Sequence, residues 1–125
     1  MTTFIEERVY YLLAGEATVT ALVGARIYPD KLKQACAMPA IAYTRISTRP
    51  VNDLGGYDDT NQVNIQIDCY ATTKAGAMDL AKVVLAAMDS AAQFNSLRIG
   101  WRTYYESDTR LYRNMVEFDC WNDTD

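Results

Sequence analysis

From Gln62 to Ala71 apolar and polar residues alternate. Val63, Ile65, Ile67, Cys69 and Ala71 fall on one face, and Gln62, Asn64, Gln66, Asp68 and Tyr70 on the other. This is the period-two pattern of a strand with one dry side. A second run repeats it: Tyr112, Asn114, Val116, Phe118 and Cys120 oppose Arg113, Glu117 and Asp119. The two runs close on related phrases, Ile67-Asp68-Cys69-Tyr70 and Phe118-Asp119-Cys120-Trp121. A sheet with one dry face needs a cover, and two stretches with helical spacing supply it. Ile5, Val9, Leu12 and Leu13 recur along a segment from about Thr3 to Gly15, where Thr3 and Glu6 have the spacing of a capping box. Ala77, Leu80, Ala81, Val84, Leu85 and Met88 line one face of a longer helix that starts after Thr72 or Thr73, either of which is a suitable N-cap. Within it Gly76 costs on the order of 1 kcal/mol against Ala, which suggests close approach of the helix to the sheet.

The remaining segments complete an α+β chain. A short helical turn is expected near Val19 to Val23, then an extended piece at Arg26 to Pro29 and an irregular stretch between Pro29 and Pro39. Ile41 to Ser47 reads as a first strand whose alternation leaves its facing open. Arg98 to Glu106 and Leu111 to Trp121 read as a hairpin across Ser107 to Arg110. Its register places Ile99 opposite Phe118, Trp101 opposite Val116, Tyr105 opposite Tyr112 and Arg98 opposite Asp119. The expectation is a mainly antiparallel four-stranded sheet with helices packed on one face. Thr48 to Asn61 contains Pro50, Asn52, Asp53, Gly55, Gly56, Asp58 and Asp59, a composition that predicts a long flexible loop.

At 125 residues the chain is most simply one domain, residues 1–125, of a size that buries roughly two-thirds of its unfolded surface. It opens without a basic segment before an apolar stretch, and its longest apolar run, Ala35 to Tyr43, is broken by Pro39. Neither signal peptide nor membrane span is read. Three cysteines are an odd number, and Cys69 and Cys120 sit in apolar phase, as small buried hydrophobes would in a reducing compartment. A formal charge of −4 argues against general nucleic-acid affinity. Nine tyrosines fit either contact surfaces or half-buried strand positions.

The chain has no histidine, which removes the commonest general base and metal ligand and every Ser-His or Cys-His arrangement. Asp68 and Asp119 would form a carboxylate pair if their strands lay side by side, but solvated or ion-paired acids are the simpler reading of two polar-face positions. The acidic stretch from Asp53 to Asp59 lacks the spacing of a calcium loop, and no phosphate-binding or dinucleotide fingerprint is present. Catalytic, cofactor-binding and metal-binding residues are therefore assigned to none, and no small-molecule substrate is expected.

Three local phrases add what periodicity does not: Ala21-Leu22-Val23-Gly24-Ala25-Arg26-Ile27-Tyr28-Pro29, then Met38-Pro39-Ala40-Ile41-Ala42-Tyr43, then Val63 to Tyr70 leading through Ala71-Thr72 into an alanine-rich helix. Their order resembles the tail completion proteins of long-tailed phages and prophages, also described as tail terminators or head–tail joining proteins. The resemblance covers nearly the whole chain and carries no catalytic residue. It implies a small α+β subunit, similar in fold to phage tail terminators. It also implies a homo-oligomeric ring, usually a hexamer, at the head-proximal end of the tail, where it ends the tail tube and joins tail to head in the virion. The implied partners are further copies of the chain, the tail tube protein and the head–tail connector, with DNA passing the lumen unbound and the chain made in the host cytoplasm.

Two contact regions are expected. One is the predicted loop, with Asp53, Leu54, Gly55, Gly56, Tyr57 and Asp58; the other is the outer strand face bearing Arg98, Arg102, Tyr104 and Arg113. Two rival readings stand beside this one: a head-side connector or stopper that retains DNA, and a small dimeric α+β module holding a ligand between helix and sheet.

Overall fold

The computed structural model describes residues 4–53, 56–90 and 95–122, with side chains described throughout except at 49–53, 56–61, 95 and 122. The elements are α1 (Ile5–Gly15), α2 (Ala17–Val23), β1 (Ile27–Pro29), β2 (Ala40–Asp53), β3 (Gly56–Ala71), α3 (Lys74–Asp89), β4 (Asn95–Glu106) and β5 (Leu111–Asn122). The strands form one sheet in the order β1-β2-β3-β5-β4. β1 is parallel to β2, and every other pairing is antiparallel. The fold is α+β as expected, but the sheet has five strands and is mixed, not four. The extra strand is the three-residue β1. Its length is too short for a periodic signal, and it is fixed from outside: the Arg26 guanidinium donates to the Pro39 carbonyl at 2.9 Å, and Ile41 N–H donates to the Arg26 carbonyl at 3.0 Å.

One face of the sheet is dry. Ile41 and Tyr43 from β2, Val63, Ile65, Ile67 and Cys69 from β3, and Val116, Phe118 and Cys120 from β5 meet the buried residues of all three helices. This settles the facing of β2: Ile41, Tyr43 and Arg45 are in register with Cys69, Ile67 and Ile65, hence on the helix side. α1 buries Ile5, Val9 and Leu13, one residue per helical turn. It begins at Ile5 with Phe4 as N-cap and without a side-chain cap. The expected cap residue Thr3 lies outside the described residues, and Glu6 is used elsewhere. α2 follows after the single residue Glu16 and ends at Gly24, whose φ of 58° favours glycine.

In α3 the Thr73 hydroxyl accepts from Gly76 N–H at 3.0 Å, the cap expected from sequence. A Cβ at Gly76 would lie 2.9 Å from the Thr73 hydroxyl oxygen and 3.3 Å from Ala71 Cβ. The glycine thus marks a close approach of the first helical turn to the end of β3.

Residues 48–53 and 56–61, expected within a loop, are strand. β2 and β3 continue their ladder through Arg49↔Gln62, Pro50↔Asn61, Asn52↔Tyr57 and Asp53↔Gly56, with an irregularity between Pro50 and Asn52. β5 leaves β3 at Asn61↔Asn122. Beyond that point β2 and β3 pair only with each other among the described residues, forming a two-stranded arm. Glycine and aspartate do not prevent this, because the ladder is made by backbone groups.

The β4–β5 register agrees with expectation from Glu106↔Leu111 to Gly100↔Glu117, including Trp101↔Val116 and Tyr105↔Tyr112. There a bulge at Ile99 shifts the ladder by one residue, so that Arg98, not Ile99, pairs with Phe118, and Leu97, not Arg98, pairs with Asp119.

Candidate interaction surfaces

The sheet face opposite the helices is polar and internally bonded. Asp68 is 4% exposed. It accepts from Arg113 Nε at 3.0 Å and from Gln66 Nε2 at 3.1 Å. Arg113 also reaches Glu106 at 3.5 Å and lies over the rings of Tyr70 and Tyr104 at 5.9 and 5.7 Å. Burial works against the Arg113 charge, but the hydrogen bond and charge of Asp68 outweigh it and raise its pKa above the ordinary value. Burial, followed by the same carboxylate, raises the pKa of Tyr70. Arg113 therefore ties β3, β4 and β5 together, and its guanidinium is committed within the chain. Asp119 accepts from Asn64 Nδ2 at 3.2 Å. Although β3 and β5 are neighbours, Asp68 is level with Met115 and Asp119 with Asn64, so the two acids do not form a pair. Ser47, Gln62, Asn64, Ile99 and Asp119 line a shallow polar groove of about 260 Å³ on this face.

β4 is the second exposed surface. It is an edge strand of 12 residues, bonded along one side to β5. Leu97, Ile99, Trp101, Tyr104 and Tyr105 all remain between 39% and 56% exposed. By register Trp101 and Tyr105 share the helix-side face with Val116 and Tyr112, while Tyr104 and Arg102 share the outer face with Arg113 and Met115. Trp101, on the edge strand, stays 39% exposed although its partner Val116 is buried. The bulge also redistributes the expected contact residues. Arg98 comes level with Phe118 on the helix side, and Ile99 borders the outer groove. Arg98 and Arg102 are exposed, and neither forms an ion pair among the described residues.

Beneath β4 lies a feature the sequence reading did not single out. Asn114 is wholly buried, its Oδ1 accepting from Trp101 Nε1 at 2.7 Å and Thr103 Oγ1 at 2.9 Å, while its Nδ2 has no partner among the described residues. An asparagine in the apolar phase of β5, two residues before Val116, was the signal available. It anchors the ring nitrogen of Trp101 and so orients that exposed aromatic on the edge strand.

The third surface is the arm. Asp53, Gly56, Tyr57 and Asp58 lie on its paired strands, with side chains outside the described set; Leu54 and Gly55 lie outside the described residues altogether. The arm, the polar face and the β4 edge occupy different parts of one sheet, and those of the expected contact residues that are described fall on all three.

Among the described residues no group of three His, Cys, Asp or Glu side chains is placed to hold a metal ion. No described helix is long and apolar enough to cross a membrane. Cys69 and Cys120 are buried free thiols; burial, then the neighbouring Asp68 and Asp119 charges, raise both pKa values, that of Cys120 to about 12. Such thiols stay protonated and inert as nucleophiles.

No curated protein matches the chain by sequence. Among solved structures, a chain of the "Virion of native gene transfer agent (GTA) particle" has the same fold, with a TM-score of 0.71 at 18% identity over 90% of each chain. Residues 7–123 match the family described as tail completion protein gp17. The extent of that match leads to one conclusion: this chain belongs to the tail completion protein gp17 family, a structural and non-enzymatic family.

Proposed function

We propose that the chain is a virion subunit that forms a closed ring, a hexamer, at the head-proximal end of a long phage tail, where it terminates the tube and joins the tail to the head. The observation that carries this reading is the family match over residues 7–123. The similar fold of a chain in a gene transfer agent virion supports it. So does the distribution of surface chemistry: half of the large apolar side chains left exposed among the described residues lie on one of the two edge strands, β4, as expected of a strand with a partner outside its own chain. The partners in this reading are further copies of the chain, the tail tube protein and the head–tail connector. With its acids facing inward, a chain of net charge −4 would let DNA pass through a lumen without adhering to it.

The test is the particle population in lysates of a phage or prophage lacking this chain. Overlong tails and filled heads without tails are expected. Normal tails beside heads that have leaked their DNA would contradict the terminator role and move the chain to the head side, as a stopper.

A further inference from the structure

The arm and the free edge of β4 each present structure without a partner among the described residues. Beyond Asn61 the arm strands pair only with each other among the described residues, and a lone two-stranded ribbon is marginal in water. From Pro50 to Asn61 the arm sequence contains Asp53, Asp58 and Asp59 and neither Lys nor Arg. β4 is its complement. From Leu97 to Tyr105 it contains Arg98 and Arg102 and no acid. Both arginines are exposed without an ion pair among the described residues, and Leu97, Ile99, Trp101 and Tyr105 are exposed beside them.

Within one chain the two cannot meet along this edge. β5 separates β3 from β4, and the free side of β4 is the one facing away from β5. Two like surfaces would also repel: arm against arm brings aspartates together, and edge against edge brings arginines together. A twofold contact built on either is therefore disfavoured, whereas arm against edge matches opposite charges. Such a contact joins different patches and repeats from copy to copy, closing into a ring where the rotation allows.

We propose that the acidic β2–β3 arm of one copy docks along the free edge of β4 in the next copy, head to tail. The exposed apolar side chains on the two faces of β4, Leu97 and Ile99 on the outer side and Trp101 and Tyr105 on the helix side, supply the area removed from water, the free side of its backbone supplies hydrogen-bonding groups, and the Arg–Asp complementarity selects partner and direction. The inference rests on the ring reading above and adds which two surfaces meet.

The test uses the full-length chain and two charge-reversed variants, Asp58→Lys with Asp59→Lys on the arm, and Arg98→Glu with Arg102→Glu on the edge. Each variant alone is expected to weaken self-association at least about tenfold by sedimentation, with unchanged circular dichroism. Mixed one to one, they are expected to recover assembly, because each altered arm then faces an oppositely altered edge. Variants that assemble as the unaltered chain does, or a mixture that stays dissociated, would overturn this contact while leaving the ring reading in place. An unaltered chain that remains monomeric up to millimolar concentration would overturn this contact as a self-sufficient interface and leave the ring reading only as assembly on a tail tube.

Discussion

Glu6 and Arg45 are 39 residues apart, and their contact shows how one residue can leave its expected role. Glu6 has the spacing to close a capping box, but its carboxylate instead takes the Arg45 guanidinium in two hydrogen bonds, one of them 3.0 Å from Nε to Oε2. Arg45 occupies an apolar-phase position of β2 at the rim of the core, where it also lies 5.7 Å above the Phe4 ring and donates to the Thr48 hydroxyl. Burial would raise the Glu6 pKa, but the hydrogen bond and charge of Arg45 prevail and lower it from the ordinary 4.5. A depressed carboxylate contributes stability that is present above its unfolded pKa and is lost as pH falls through the folded one. Glu6→Gln is therefore expected to cost about 0.5–1 kcal/mol at pH 7, a small value because both side chains keep some exposure. Urea melts across pH should show that difference closing below about 4.5. A gap independent of pH would mean that the carboxylate acts through packing alone.

At the scale of elements, the β4–β5 hairpin shows both what the sequence makes legible and where it stops. Alternation in β5 is clear because one side of the sheet is dry and the other is wet, and burial of Phe118 and Val116 pins the register through most of the ladder. The bulge at Ile99 is invisible to that reasoning, since an unbroken count from the turn is the simplest assumption and the displaced isoleucine remains 46% exposed. β1 escapes for want of length. The arm escapes because glycine and aspartate carry a loop signature, while strand pairing needs only backbone donors and acceptors. Of the candidate contact residues, Arg102 and Tyr104 stand on the outer face as expected, Arg98 is turned by the bulge, and Arg113 is engaged in holding strands together. The turn itself carries a local strain: Arg110 has a φ of 58° while its N–H donates to the Glu106 carbonyl at 2.8 Å. Arg110→Gly removes that penalty at some cost in unfolded-chain entropy, and a net stabilisation of about 0.5–1 kcal/mol is expected in thermal or urea melts. A destabilised variant would show that the arginine side chain contributes more to the turn than its backbone conformation costs.

At the scale of the whole molecule, among the described residues one face of the sheet is occupied by helices, the other carries its own hydrogen bonds and ion pairs, and half of the large apolar side chains left exposed lie on the edge strand β4. The proposed contacts, at an edge and at an arm, suit head-to-tail association better than a buried ligand site. The central claim is the ring, and native mass spectrometry of the purified chain over a range of concentration and salt, with negative-stain electron microscopy of the same sample, tests it most directly. Closed rings with sixfold symmetry are the predicted result. A strict dimer at every concentration would contradict the account and return the chain to the class of small dimeric binding modules.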